Sequence, residues 1–223
     1  MKDQNTGAAF SELYSAYAAG CLDPAYALLV ETQAALRADI QQSIVVSEIL
    51  AGALLEDTDP DGMAADAVDQ AMAAIDVLEA GSSPPKAALN SVNKAIEELL
   101  DLPAPLRDHA LYAAGDEGWR FTGPGIRRLG LDVGSQTEIE LYRLEPGASI
   151  PRHTHEGAEL SLVVHGGFTD ETGSYGPGDL SIKGPEHVHQ PTADSDGPCI
   201  VLAVRDGDLK FQGVIGLVQR LMG

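Results

Sequence analysis

Pro151-Arg-His-Thr-His-Glu-Gly-Ala-Glu159-Leu-Ser-Leu-Val-Val164 is the stretch on which the reading of this chain turns. Side chains two apart on an extended strand share a face. His153, His155 and Glu159 have the same parity and can point one way, with Gly157 allowing a bend between them. About thirty residues later comes His187-Val-His189, and His189 is expected to arrive at the same place from a neighbouring strand. Neutral imidazoles plus one carboxylate suit a divalent transition metal such as Zn²⁺, Fe²⁺, Mn²⁺ or Ni²⁺. His165 has the same parity but follows the apolar run Leu160–Val164 at a strand end, and reads as structural.

Outward from this stretch, Trp119–Thr122, Ile126–Val133, Thr137–Leu144, Glu159–Val164, Leu180–Lys183 and Cys199–Val204 read as short strands, separated by Gly- and Pro-rich turns. With no helix between them they indicate a sandwich or barrel. Upstream of Leu102-Pro-Ala-Pro105 the period is helical. Phe10, Leu13, Tyr14, Tyr17 and Ala18 form one stripe, stopped at Gly20; Asp23-Pro24 caps a second helix of about thirty residues, long enough to predict a bend near Gly52 or a coil-like partner. Asp57–Gly62 has the composition of a calcium loop but lacks its ligand spacing and closing Glu, so it reads as a linker. Ala64–Ala80 and a segment carrying Leu89, Val92, Ile96, Leu99 and Leu100 complete a small bundle whose apolar stripes are expected to form its core. The chain thus divides into a helical domain, 1–101, and a β domain, 102–223: an α+β protein of two domains.

Composition narrows the function. The 223 residues carry a formal net charge of −20, with 17 acidic against 4 basic side chains in 1–101 and 17 against 10 in 102–223. No basic stripe exists to neutralise phosphates, which argues against direct nucleic-acid binding. An acidic helical half could instead complement a basic protein surface. Cys21 and Cys199 make no CxxC and lie away from the histidines, so neither a disulfide framework nor a thiolate zinc site is expected, and a reducing compartment is. The N-terminus lacks a signal-peptide layout, and charges at Glu31, Arg37, Asp39 and Glu48 are expected to keep any apolar run below membrane-spanning length. A soluble, cytoplasmic protein with no membrane partner is the expectation.

The second half resembles the cupin superfamily of metal-binding β-barrels of jelly-roll type. Gly147, five residues, His153-Thr-His155, three residues, Glu159, six residues and Gly166 match its first motif; Pro177-Gly-Asp179 and His189 correspond to the second. The resemblance implies His153, His155, Glu159 and His189 as ligands of one metal, zinc foremost, with His187 supporting them or serving as an alternate ligand. Trp119, Leu144-Glu-Pro-Gly147, Pro151–Gly157, Phe168-Thr-Asp-Glu171 and Tyr175–Asp179, together with Ala16–Gly20 and Ala27–Val30, narrow the likeness to the ChrR-type anti-sigma factors. In that family a helical domain sequesters an extracytoplasmic-function (ECF) sigma factor, whose surfaces are basic, and the cupin follows it. The implied function is transcription regulation, the metal cupin sensing a small molecule or oxidative stress. The alternative is a metal-dependent cupin enzyme, a dioxygenase or isomerase, although no acid–base set beyond Glu140, Tyr142, Glu145 and Glu186 accompanies the ligands. One departure stands out. Where the family's helical domain binds zinc, this chain has Ala8, Gln33, Arg37 and Ile40, so no zinc is expected there. Cupins pair through their sheets, so the resemblance also admits a homodimer.

Overall fold

The computed structural model describes residues 12–81, 94–207 and 209–211. Helix α1 covers residues 12–18; α2 is Pro24–Leu36, α3 Ala38–Glu56, α4 Ala67–Gly81, α5 Lys94–Leu100 and α6 Ala104–Asp116. The strands are β1 (Arg120–Gly123), β2 (Ile126–Gly130), β3 (Glu138–Leu144), β4 (His153–His155), β5 (Glu159–His165), β6 (Phe168–Asp170), β7 (Gly173–Tyr175), β8 (Leu180–Lys183), β9 (Thr192–Ala193), β10 (Cys199–Arg205) and β11 (Leu209–Phe211).

Strand β10 explains the architecture. All seven of its residues are buried, which requires cover on both faces. It is central in an antiparallel sheet of order β1-β2-β3-β10-β5-β8. On one face Ile200, Leu202 and Val204 join Leu129, Leu141 and Leu162 in a core closed by Ala25, Leu28 and Leu29 of α2 and Leu106, Ala110 and Ala113 of α6. On the other, Cys199 and Val201 pack with Ile126, Leu144 and Val163 against Phe168 and Ala193 of the opposing layer. That layer consists of β7-β6-β9 and β11-β4, knitted by bridges at Ser149–Thr192 and His153–His189. Two layers of short antiparallel strands with helices outside are the two-domain α+β arrangement expected, and the site lies between the layers.

The helical half departs from its sequence reading in four places. The long second helix breaks at Arg37 rather than near Gly52. Arg37 has φ −132° and ψ 107°, and its guanidinium grips Asp39 (2.8 and 2.9 Å) and Asp179 of the β domain (3.1 Å). The tertiary contact thus overrides a residue that is a good helix former. Beyond Pro103, where alternation was expected to begin, the chain makes α6 first: Pro105 stands in its opening turn, where a missing N–H costs nothing. Apart from Ile40 and Ile44, which pack with Tyr14 and Val30, the stripes of α3 and α4 are uncovered among the described residues. Ile49, Leu50, Leu54 and Leu55 are 61–73 % exposed, and Val68, Met72, Ile75 and Val77 are exposed as well. Finally, the break separates Arg37 from α3, whose 19 residues are then long and apolar enough, by length and composition alone, to cross a membrane; one such helix is weak evidence for a span. Leu89 and Val92 lie outside the described residues.

Other features follow the reading. Gly20 ends α1 at φ +67°, and Asp23 caps α2 by accepting from the Ala25 amide at 2.9 Å. Both cysteines are free thiols.

Candidate metal centre

His153 and His155 stand on β4, Glu159 opens β5, and His189 is held opposite β4 by reciprocal backbone hydrogen bonds between residues 153 and 189, 3.0 and 3.1 Å long. One potential ligand atom from each of the four residues lies within 4.8 Å of all the others, and all four are buried. The β4 register and the 153–189 bridge therefore bring together what parity alone could only align. Gly157 permits the turn from β4 into β5, since a Cβ there would fall on the Asp206 carbonyl oxygen.

The three imidazoles converge through their Nε2 atoms: His155 to His189 at 3.0 Å and His189 to His153 at 3.1 Å. The Nδ1–H of His153 donates to the Pro151 carbonyl (2.8 Å), and the Nδ1–H of His189 donates to Asp170 (3.1 Å). With Nδ1 carrying the proton, each of these rings turns an Nε2 lone pair inward. Lone pairs facing one another need a shared cation. Protonation is a poor solution: burial, ahead of the neighbouring groups, pushes His153 down to about 4 and His155 to about 3. Nδ1 of His155 is buried without a hydrogen bond, 3.5 Å from Glu159 Oε2. Burial raises the Glu159 carboxyl, whereas His189, the Ser161 hydroxyl, Arg205 and Lys183 favour its ionised form. Two inward lone pairs, the converging His155 ring with its orphaned nitrogen, and a carboxylate fit one divalent transition metal, and His153, His155, Glu159 and His189 could hold it.

Beneath these residues runs a row of alternating charge. Register places Glu138 of β3 beside Arg205 of β10, Arg205 beside Glu159 of β5, and Glu159 beside Lys183 of β8. Arg205 donates to Glu138 (2.6 Å) and Glu140 (2.8 Å); Arg128 adds a contact to the other oxygen of Glu140 (2.9 Å). Lys183 donates to Asp170 Oδ2 at 3.1 Å, so one carboxylate serves both this ammonium and the His189 ring. Burial works against the Asp170 anion, but hydrogen bonds led by those from His189 and Thr172 outweigh it and hold its carboxyl far below the usual range. The row is a consequence of pairing, which periodicity does not reveal. Asp170 alone left a signal: in Phe168-Thr-Asp170 it shares the parity of an apolar residue.

Other expected residues fall elsewhere. His187 is outside the cluster, its Nδ1 accepting from the Gly184 amide (2.9 Å) beside Glu186, and His165 ends β5 exposed. Glu140 and Tyr142 are inside, bonded to each other at 2.8 Å, while Glu145 and Glu186 are exposed. At the positions compared with a zinc-binding helical domain, Gln33 accepts from the Tyr14 hydroxyl (2.8 Å) and donates to the Gly178 carbonyl (3.1 Å), Arg37 pairs as described, and Ile40 packs by Tyr14, Val30 and Ile44; Ala8 lies outside the described residues.

Residues 107–208 match the family described as the ChrR cupin-like domain. The anti-sigma-E factor ChrR of Cereibacter sphaeroides is 32% identical over 203 residues, 91% of this chain and 91% of that protein. The crystal structure of Rhodobacter sphaeroides SigE in complex with the anti-sigma ChrR superposes with a TM-score of 0.67 at 31% identity, covering 88% of this chain and 96% of that one.

Proposed function

The chain belongs to the ChrR family of cupin-bearing anti-sigma factors, and on that premise we propose that it sequesters an ECF-type sigma factor through residues 1–101 while the cupin, residues 102–223, holds a metal and senses a chemical signal. The observation that carries this reading is likeness over nine-tenths of both chains, helical half included, to a protein captured with its sigma factor. The surface supports it. The outward apolar faces of α3 and α4 have no cover among the described residues, and contiguous apolar faces rimmed by polar residues mark protein-binding sites. The surrounding acidity suits a basic partner and would speed its approach. This work belongs in the cytoplasm, where a sigma factor meets its polymerase.

In this reading His153, His155, Glu159 and His189 ligate one divalent metal, zinc foremost because it accepts imidazole and carboxylate without a redox change. A metal held by these residues would supply Lewis acidity at the site. Two measurements test the proposal. Tagged full-length protein from its own host should bring down a small sigma factor at about one to one, and its failure to do so ends the anti-sigma reading. His153→Ala and His155→Ala should each strip the cupin metal, seen by elemental analysis; unchanged stoichiometry rejects the ligand assignment.

A further inference from the structure

The inward faces of β3, β10 and β5 change character along the strands. Tyr142, Val201 and Val163 are paired across them in one row, Glu140, Ala203 and Ser161 in the next, and Glu138, Arg205 and Glu159 in the third. The middle row is short at Ala203 and Ser161, and both line a cavity of about 370 Å³. That volume falls within the roughly 300–1,000 Å³ typical of small-ligand pockets. One wall is contiguous apolar packing: Ile126, Leu144, Ile150, Phe168 and Val201 belong to a single cluster and all face the space. Another wall is made by Arg128, Glu138, Glu159 and Arg205.

The charges in that wall are already engaged. Arg205 holds Glu138 (2.6 Å) and Glu140 (2.8 Å), and Arg128 holds the second oxygen of Glu140 (2.9 Å). One oxygen of Glu159 accepts from the Ser161 hydroxyl (3.0 Å), and the other faces Nδ1 of His155 (3.5 Å). An anionic head would meet more carboxylates than cations here, and no unclaimed cation among the described residues of the wall. A cationic head would have to take a carboxylate from an arginine, or Glu159 from the histidines. Splitting a buried pair strands a charge, which is costly. A hydroxyl carries no charge and both donates and accepts, so it can join a carboxylate oxygen, a guanidinium N–H or the Tyr142 phenol without splitting a pair. We propose that this cavity binds a small uncharged amphiphile, an alcohol whose hydroxyl lies at the Glu138–Arg205 row and whose body lies among Ile126, Leu144, Ile150, Phe168 and Val201. As the identity of the cupin's signal this rests on the sensor reading above; as a binding site it rests on the cavity and its pairings, and involves no metal.

Calorimetric titration of the full-length protein with octan-1-ol, octanoate and octylammonium tests it. The three probes share a body and differ in the charge of the head. Octan-1-ol should saturate one site per chain, at least about tenfold tighter than either ion. Ala203→Leu fills the middle row and should weaken octan-1-ol by about tenfold or more. Either ion binding as tightly as the alcohol overturns the proposal. So does the absence of saturable octan-1-ol binding. Undiminished binding by Ala203→Leu that circular dichroism shows to be folded also overturns it, since the alcohol would then sit outside the cavity. If Ala203→Leu does not fold, Ile150→Trp, in the loop before β4, fills the apolar end instead, and the three-probe comparison on the unaltered chain decides in either case. Sigma-factor capture is assayed on the same preparation. Loss of capture with octan-1-ol binding intact rejects the anti-sigma reading and leaves the alcohol site standing; capture without octan-1-ol binding rejects the alcohol site alone.

Discussion

Asp170 shows what a single buried carboxylate does for a cluster that could hold a metal. Its Oδ2 accepts from both His189 and Lys183, fixing the tautomer that turns His189 Nε2 inward and neutralising an ammonium that is itself buried. Asp170→Asn should leave an acceptor for His189 but strand Lys183. Metal affinity, read by competition with a chromophoric chelator, should fall by about 10- to 100-fold. Urea unfolding should show a loss of about 3–5 kcal/mol, the usual cost of removing one partner of a buried ion pair. The histidines impose a pH signature as well. His153 titrates at about 4 in the folded metal-free chain, against about 6.5 unfolded. Between these values the unfolded chain takes up a proton that the fold refuses. The stability of chelator-treated protein is therefore whole above about 6.5 and declines as pH falls toward 4. A urea midpoint that stays level from pH 7 to 4.5 would contradict a cluster of buried neutral imidazoles.

Among the elements, α3 and α4 face outward with side chains that a stable monomer buries, and this separates binding from folding. Ile49→Asp and Leu54→Asp replace residues that are 66 % and 73 % exposed, so thermal stability should change by no more than about 0.5 kcal/mol. Sigma-factor affinity should drop sharply in a pull-down or by interferometry; unchanged affinity would move the binding face elsewhere. The same helices show what their sequence could disclose. Helical periodicity identified their stripes but not what covers them. The break at Arg37 is hidden from the sequence in part because one of its partners, Asp179, is 142 residues away. Pro103 and Pro105 read as a boundary although a proline in the first turn also starts a helix, as it does for α6. Strands fared better: Leu180–Lys183 is unchanged, and β10 was legible as a continuous apolar run. At the site, His153, His155 and Glu159 could be grouped by parity and spacing. The alternating row from Glu138 to Lys183 could not, because register is set by pairing between strands far apart in sequence.

At the scale of the whole molecule, one core joins the two halves. Ala25, Leu28 and Leu29 of α2 are packed into the cluster that holds Leu141, Leu162 and Leu202 of the sheet, on the back of the strands whose inner face carries Glu159 and Arg205. Polar ties run alongside. Tyr26 donates to Asp206 at 2.9 Å, and Asp206 is both the neighbour of Arg205 and the residue whose carbonyl oxygen closes on Gly157, between His155 and Glu159. Ser135 donates to Asp23 at 2.7 Å, and Gln33 and Arg37 hold the Gly178–Asp179 turn. A change at the metal loop thus meets α2 through direct contacts, although it shifts the grip on a partner only if it favours one arrangement of the halves over another. A shared core also predicts shared unfolding. Leu29 is fully buried, and Leu29→Ala should cost about 2–5 kcal/mol through lost burial and the cavity left behind. Although α2 lies outside the barrel, that loss should lower the temperature of metal release, followed with a chelating dye, by the same amount as it lowers the melting of the helical circular-dichroism signal. Metal in excess should raise both together, because it binds only the folded centre. Two separate transitions, with metal release indifferent to Leu29→Ala, would mean that the barrel stands without α2 and that the helices are appended to it rather than built into it.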